Sequence, residues 1–262
     1  MSARDKSLMV SAYTQDGNNH LGDFLMLGFG AELATEDGRG GADAYEEHEE
    51  VKRKSVHDFE LFLNNGSGAR VNAPAGVTVL NLNGDILADF ESCTWDCRNA
   101  VQDGSGAASL DEFPNAVSSA FNISHSRLIP ASATTLAELD DMYSATAADR
   151  KVTCSMTWGG WEFSAPMIMT SCKHVVSRGA LDKLDVSFKP NGAPTITNPG
   201  GGSADIISVA VEGDAIISVA ATTGSRAYVG TGIITSLSGT ISNRTLAKLR
   251  GAIEIQGAWT KV

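Results

Sequence analysis

The chain is expected to be mainly β: a β-sandwich or barrel flanked by one short α-helix, with a C-terminal β segment that partly duplicates an earlier one. Three observations predict this. Gly, Ser, Thr, Ala and Val dominate, aromatic residues make up only 6% of the chain, and helical patterning is rare. Apolar and polar residues alternate with a period of two in several stretches separated by tight-turn dipeptides, the signature of half-buried strands. Finally, residues 165–195 and 230–260 align without a gap at an offset of 65, with ten of 31 positions identical.

The first 60 residues carry two contrasting stretches. "HLGDFLMLGFGAEL" is apolar, punctuated by glycine and compatible with a strand. "ATEDGRGGADAYEEHEEVKRKSVHD" is charged, with Glu46, Glu47, Glu49 and Glu50 followed by Lys52, Arg53 and Lys54. It reads either as a solvated loop or as a long hairpin arm that meets a neighbouring subunit. From Val77 the pattern sharpens. In "VTVLNLNGDILADF", Asn83-Gly84 sits between alternating runs, and this dipeptide favours a two-residue hairpin because both turn positions need positive φ. "AVSSAFNISHSRL" alternates Val117, Ser119, Phe121, Ile123 and His125, which places His125 as a packed or rim residue.

One helix is predicted, over about 135–148. Thr135 and Glu138 have the spacing of a capping box, and Leu136, Leu139, Met142 and Tyr143 form a stripe at intervals of three and four. "KVTCSMTW" and "WEFSAPMIMTS" flank Gly159-Gly160 and read as a hairpin, and "DKLDVSFKPNG" adds a strand through Leu184, Val186 and Phe188. Pro199 and the glycines around it form a linker by composition. Beyond it "IISVAVEGDAIISVAATT" returns to strands and turns, and at the 65-residue offset Gly224 matches Gly159 and Tyr228 matches Phe163. The helix is not expected to recur, because the equivalent positions are that glycine-rich linker.

Composition and motifs exclude more than they assign. At 262 residues the chain is long enough for one large or two modest cores. No apolar run reaches bilayer-spanning length, and the start lacks a signal-peptide core, so the cytoplasm is the expected compartment. Reduced thiols are then expected for Cys93, Cys97, Cys154 and Cys172. The net charge of -11 argues against electrostatic gripping of nucleic acid, which rests on cations. No nucleophile, phosphate-loop, dinucleotide or zinc-protease motif is present. His48 and His57 stand near Glu47, Glu49 and Asp58, where a solvated charged stretch explains them better than a metal site. No catalytic, cofactor or metal site is therefore assigned, and a structural or interaction protein is expected rather than an enzyme.

The order of these elements resembles the tail tube proteins of long-tailed bacteriophages. The residues that carry the resemblance are "EFPNAVSSAFNISHS", the helix "TTLAELDDMYSA", the hairpin "VTCSMTWGGWEFSAPMIMTS" and the last strand "LDKLDVSFKPNGAPT". It covers about Val77 to Thr195 well, the C-terminal segment as a partial echo and the first 60 residues poorly. The resemblance implies a β-sandwich with a flanking helix, self-assembly into homo-hexameric rings, and stacking of those rings into a hollow tube in the virion tail. Other tail proteins would be partners, viral DNA would be non-sticking cargo, and no membrane or cofactor would be involved. An acidic lumen wall would limit adhesion of DNA.

On this reading residues 1–63 form an N-terminal strand and charged arm, residues 64–197 the tube-type sandwich, and residues 198–262 a β segment repeating 152–195. The arm, through Glu46, Glu47, Glu49, Lys52, Arg53 and Lys54, would make the contact between rings. The C-terminal segment is expected on the outside of a six-chain ring. Two fused tube units in a three-chain ring are the alternative, provided residues 1–63 complete the second unit. A capsid decoration protein, or an Ig-like display module on a virion, is the alternative function.

Overall fold

The computed structural model describes residues 10–15, 18–19, 24–37, 48–62, 79–82, 85–86, 90–106, 109, 111–129, 136–158, 161–197, 204–211, 215–223, 226–242 and 245–261. Its strands belong to one large antiparallel sheet, folded over on itself. In chain order the first strands are β1 (Val10–Gln15), β2 (Asn18–Asn19), β3 (Phe24–Asp37) and β4 (His48–Phe62). Next come β5 (Val79–Leu82), β6 (Asp85–Ile86), β7 (Phe90–Asp103) and β8 (Pro114–Leu128). Helix α1 (Ala137–Tyr143) leads to β9 (Lys151–Trp158), β10 (Trp161–Val175), β11 (Lys183–Pro190) and β12 (Thr195–Thr197). Helix α2 (Ala204–Val211) leads to β13 (Ile216–Thr223), β14 (Arg226–Ser242), β15 (Thr245–Ile255) and β16 (Thr260–Lys261).

Residues 79–197 form one complete two-layer unit. Its first layer holds β5, β6, β9, β12 and the first half of β10; its second holds β7, β8, β11 and the second half of β10. Strand β10 serves both layers because its register shifts between Met169 and Ser171, and a bulge lets a strand bend from one sheet to the other. Between the layers, the rings of Phe121 and Phe163 stack at 4.4 Å and Cys93 Sγ lies 3.5 Å from Met156 Sδ. The four cysteines are free thiols, and those of Cys93, Cys97 and Cys154 are buried.

The same unit occurs a second time, split in the sequence. Strands β13 to β16 repeat β9 to β12 at an offset of 65, and the register is kept: Glu162↔Thr157 becomes Ala227↔Thr222, and Phe163↔Ile196 becomes Tyr228↔Lys261. Even the bulge recurs, between Ile234 and Ser236. The missing strands come from the N-terminus. Strands β3 and β4 match β7 and β8 at an offset of 66, with the same lengths, and both of their register shifts recur at matching positions. Strand β4 docks on β15 as β8 docks on β11. Strand β1 lines β13 as β5 lines β9, with Gln15↔Val219 matching Leu82↔Cys154.

The C-terminal segment is thus no appendage. It is half of a second unit completed by residues 10–62, and the first unit is inserted between those halves. The alignment of 165–195 with 230–260 was one fragment of a whole-unit duplication.

Two further differences concern helices. Residues read as strand at 206–211 form α2, which buries Ile206, Ile207 and Ala210, so the helix does recur. A run of β-branched residues favours a strand only when a neighbouring edge is there to pair with it. The helix expected over 135–148 is shorter, Ala137–Tyr143, followed by a 3-10 turn at Ala147–Arg150. The expected capping box falls partly outside the described residues, at Thr135. Its Glu138 instead accepts two hydrogen bonds from Arg127, at 2.8 and 2.7 Å. Leu139 and Met142 of the expected stripe pack on the core, whereas Tyr143 is exposed.

The two second layers are continuous. Strand β14 pairs with β7 from Ser236↔Arg98 to Ser242↔Ser92, which gives the eight-strand order β3-β4-β15-β14-β7-β8-β11-β10. At the centre of this joint Gly239 faces Trp95, and a Cβ there would lie 2.4 Å from the indole. Asn99 fastens the same joint by donating to the Ile234 carbonyl at 2.7 Å and to the Ala210 carbonyl at 3.1 Å. A Gly239→Val substitution is therefore expected to destabilise the fold by roughly 3 kcal/mol, the scale of overpacking a closed core. Thermal denaturation reads this directly, and a melting temperature matching the parent chain would refute the close approach.

Candidate functional site

A site in this molecule has to be sought on the continuous eight-strand layer, because one of its faces is covered by the first layers and the other is open. On β14 the covered positions are Leu237, Gly239 and Ile241, and the open ones are Ser236, Ser238, Thr240 and Ser242. Alternation on the paired strands extends this open face through Thr94, Asp96 and Arg98 on β7 and Asn122 and Ser124 on β8. Asp58 and Glu60 on β4 and Lys248 and Arg250 on β15 complete it on the other side. Small hydroxyl and amide side chains thus cover most of this face.

Several charges on the open face are set against opposite ones. Glu60 accepts from Arg250 at 2.8 Å and from Lys248 at 3.3 Å. The Arg250 hydrogen bond, aided by that of Lys248, holds the Glu60 carboxyl below its ordinary range. Asp96 accepts from Asn122 at 3.0 Å, with the Arg98 guanidinium 3.7 Å away. Ser124 and Ser187 bridge β8 and β11 at 3.3 Å. Two of the carboxylates on this face, Glu60 and Asp96, lie beside cations, and Asp58 is exposed. A shallow depression lined by Met26, Asp58, Ser236, Ser238 and Arg250 lies on it.

The basic block of the N-terminal arm is engaged within the chain. Lys52 Nζ donates to Asp103 at 2.7 Å and also to the Ser105 hydroxyl. Asp103 further accepts from the Ser105 and Phe113 amides, both at 2.9 Å. The Lys52 hydrogen bond, followed by these, holds the Asp103 carboxyl far below the usual carboxylate range. Arg53 Nε pairs with Asp111 at 2.6 Å, and Lys54 with Glu254 at 2.8 Å. The Lys52 and Arg53 contacts tie β4 to the end of β7 and the β7–β8 loop of the inserted unit, and the Lys54 contact ties it to β15. Glu46 and Glu47 lie outside the described residues. The Glu49 backbone pairs with Glu36 in β3.

Neither described buried histidine belongs to a reactive cluster, and among the described residues no group of three His, Cys, Asp or Glu side chains could hold a metal ion. His57 is buried between aromatic rings, stacked on Phe29 at 4.6 Å, with Nδ1 2.8 Å from the Gly28 carbonyl. That contact fixes the neutral tautomer with the proton on Nδ1 as donor. His125 is buried, as its alternation implies, and its ring stacks on Phe188 at 5.6 Å. Burial lowers both pKa values to about 4.

The positions that sequence reasoning missed are the two ends of the eight-strand layer. Strand β3 pairs with β4 only, and residues 171–175 of β10 pair with β11 only, among the described residues. No motif marks such an edge; the only sequence hint of the open face is the Ser-x-Ser-x-Thr-x-Ser alternation of 236–242.

No protein-family model matches the chain, and no curated protein does. Among solved structures it is similar to a chain of the virion of a native gene transfer agent (GTA) particle, at 10% identity and a TM-score of 0.37. That similarity covers 46% of this chain and 95% of the other. It is similar in the same proportions, at a TM-score of 0.38 and 10% identity, to a chain of the tail of an empty GTA particle of C6 symmetry.

The histidines generate a pH dependence. Their folded pKa values lie below the unfolded value near 6.5, so the unfolded chain binds more protons between pH 4 and 6.5. Stability is fully present above pH 6.5 and falls as pH drops through that window, by about 2 kcal/mol per histidine at pH 5. Urea unfolding at pH 7.5 and pH 5 measures the loss, and His125→Leu is expected to remove about half of it. An unchanged pH slope in that variant would refute a neutral, buried His125.

Proposed function

We propose that the chain is a structural virion protein of the tail-tube type, which assembles head to tail into rings that stack into a hollow tube for DNA passage. The observation that carries this reading is the joint between β7 and β14. Within one chain it already joins two sandwich units edge to edge and leaves a complementary pair of edges at the ends of the layer. Open edges are a liability for a monomer, and a closed ring of strands removes them.

Each chain supplies two units, so three chains supply the six units that the resemblance implies for a ring. Three chains per ring replace the six-chain ring as our preferred assembly, since the C-terminal segment belongs to the second unit. The open hydroxyl-rich face of the eight-strand layer lines the lumen in this reading. Its paired charges leave few free cations to bind phosphate, which keeps DNA affinity low without a wall of uncompensated acid. Other tail proteins cap the ends of the tube, the protein resides in the virion tail after assembly in the host cytoplasm, and its role involves no catalysis.

Negative-stain microscopy and native mass spectrometry of the purified protein test this directly. Stacked hollow rings with six lobes and three chains per ring are expected. Six chains per ring would overturn the stoichiometry. Discrete particles that coat preformed capsids and never polymerise would instead support a decoration module and sink the tube reading.

A further inference from the structure

The two halves of the chain have the same strand order, and only one of the two equivalent joints between them is made within the chain. Strand β14 of the split unit pairs with β7 of the inserted unit. The counterpart of β14 is β10, at an offset of 65, and the counterpart of β7 is β3, at an offset of 66. These are the two strands whose edges lie open.

We infer that β10 of one chain pairs antiparallel with β3 of a second copy, in the register of the internal joint. Shifting each internal pair by those offsets sets Ser171 opposite Glu32, Cys172 opposite Ala31, His174 opposite Phe29 and Ser177 opposite Met26. The inference rests on the ring reading and names the residues through which the ring closes.

Burial supports it independently. In the internal joint Cys93, Cys97, Leu237 and Ile241 are each no more than 1% exposed, and Asn99 is 5% exposed. Their counterparts on the open edges are less covered: Cys172, matching Leu237, and Leu27, matching Cys93, are half-buried, while Leu33, matching Asn99, is 57% exposed, and Val176, matching Ile241, is 68% exposed. Ala31, matching Cys97, is exposed as well. Leu25 and Met26 add apolar surface to the β3 edge, and Leu181 lies beyond the β10 edge. Positions that are core in one joint and solvent-facing apolar in its twin are what an interface lacking its partner presents.

Charge also matches across the inferred pairing. Lys173 falls opposite Gly30 and diagonal to Glu32, within reach of an ion pair. At the centre, the large–small pair Trp95 and Gly239 is replaced by two rings of medium size, Phe29 and His174. The contact joins two different edges, so it is head to tail and closes only by forming a ring.

A cross-link tests the register in the full chain. Cys172 is a half-buried free thiol, so Ala31→Cys alone creates a directly opposed pair between neighbouring copies. Mild oxidation is expected to give a ladder in steps of the 27.4 kDa chain. The ladder disappears when Cys172→Ser is added, and Leu33→Cys, two residues out of register, gives at least tenfold less product. As a second variant, Val176→Glu alters an exposed side chain and is expected to abolish assembly while leaving the melting temperature unchanged.

Rings that form without the Ala31→Cys cross-link, equal cross-linking by Leu33→Cys, or normal assembly of folded Val176→Glu would each overturn the inferred interface while leaving the ring reading intact. A cross-linked ladder of open filaments without rings would support the edge pairing and overturn the ring. A chain that stays monomeric at every concentration would overturn both.

Discussion

Everything distinctive about this molecule depends on the short ladder between β7 and β14. Seven residue pairs join two sandwich units, and the buried residues of both units belong to one continuous cluster. The ladder forms because Gly239 lets the backbone lie directly under the Trp95 indole, and because Asn99 satisfies two carbonyls, one from β14 and one from α2. Without it the two units would meet only through loop and side-chain contacts such as Lys52–Asp103 and Arg53–Asp111. With it, eight strands share one layer, one face is dry and the other is wet, and the layer acquires a defined beginning and end.

That layer sorts chemistry by the simple alternation of strands. Side chains pointing toward the first layers build the core, including the Trp95–Phe121–Phe163 stack of the inserted unit and the Phe29–Tyr228 pair of the split one. Trp95 and Phe163 occupy the positions that Phe29 and Tyr228 hold in the other unit, so equivalent positions of the two units carry different rings. Side chains pointing the other way are mainly serines, threonines and charged residues, of which Glu60 and Asp96 lie beside cations. The excess of acid in the composition therefore says little about this face, where Glu60 is shared by Arg250 and Lys248. Net charge is a property of the chain; local potential is a property of which groups the ladder sets side by side.

Much of the fold was legible in the sequence, though unevenly. The hairpins at Asn83-Gly84 and Gly159-Gly160 and the alternation around Phe121, Ile123 and His125 follow from turn chemistry and the period of two, and the strand registers agree with them. The duplicated C-terminal strands were visible because ten of 31 positions stayed identical. The duplicated β3–β4 hairpin was not, because only four of its 29 positions match β7 and β8: Phe24, Ala34, Asp37 and Val51. A sandwich core tolerates exchange of one apolar residue for another so long as volume and pattern persist, so the fold outlives identity. Helix α2 was misread for a related reason. Its Ile206-Ile207 pair suits a strand in isolation, and only packing of both residues against the core made it helical.

The sequence by itself determined the β character, the turns, the alternation that separates core from open face, and the existence of a repeat, because these depend on neighbours close along the chain. Only the tertiary structure decided that the N-terminal hairpin belongs to the C-terminal unit, that the basic block at 52–54 is engaged within the chain, and that β3 and β10 are left as the two ends of one layer. Each of those outcomes depends on pairing between strands far apart in sequence. Backbone hydrogen bonds between strands are chemically alike at every residue, so residue identity does not name the partner strand; packing of the whole chain does.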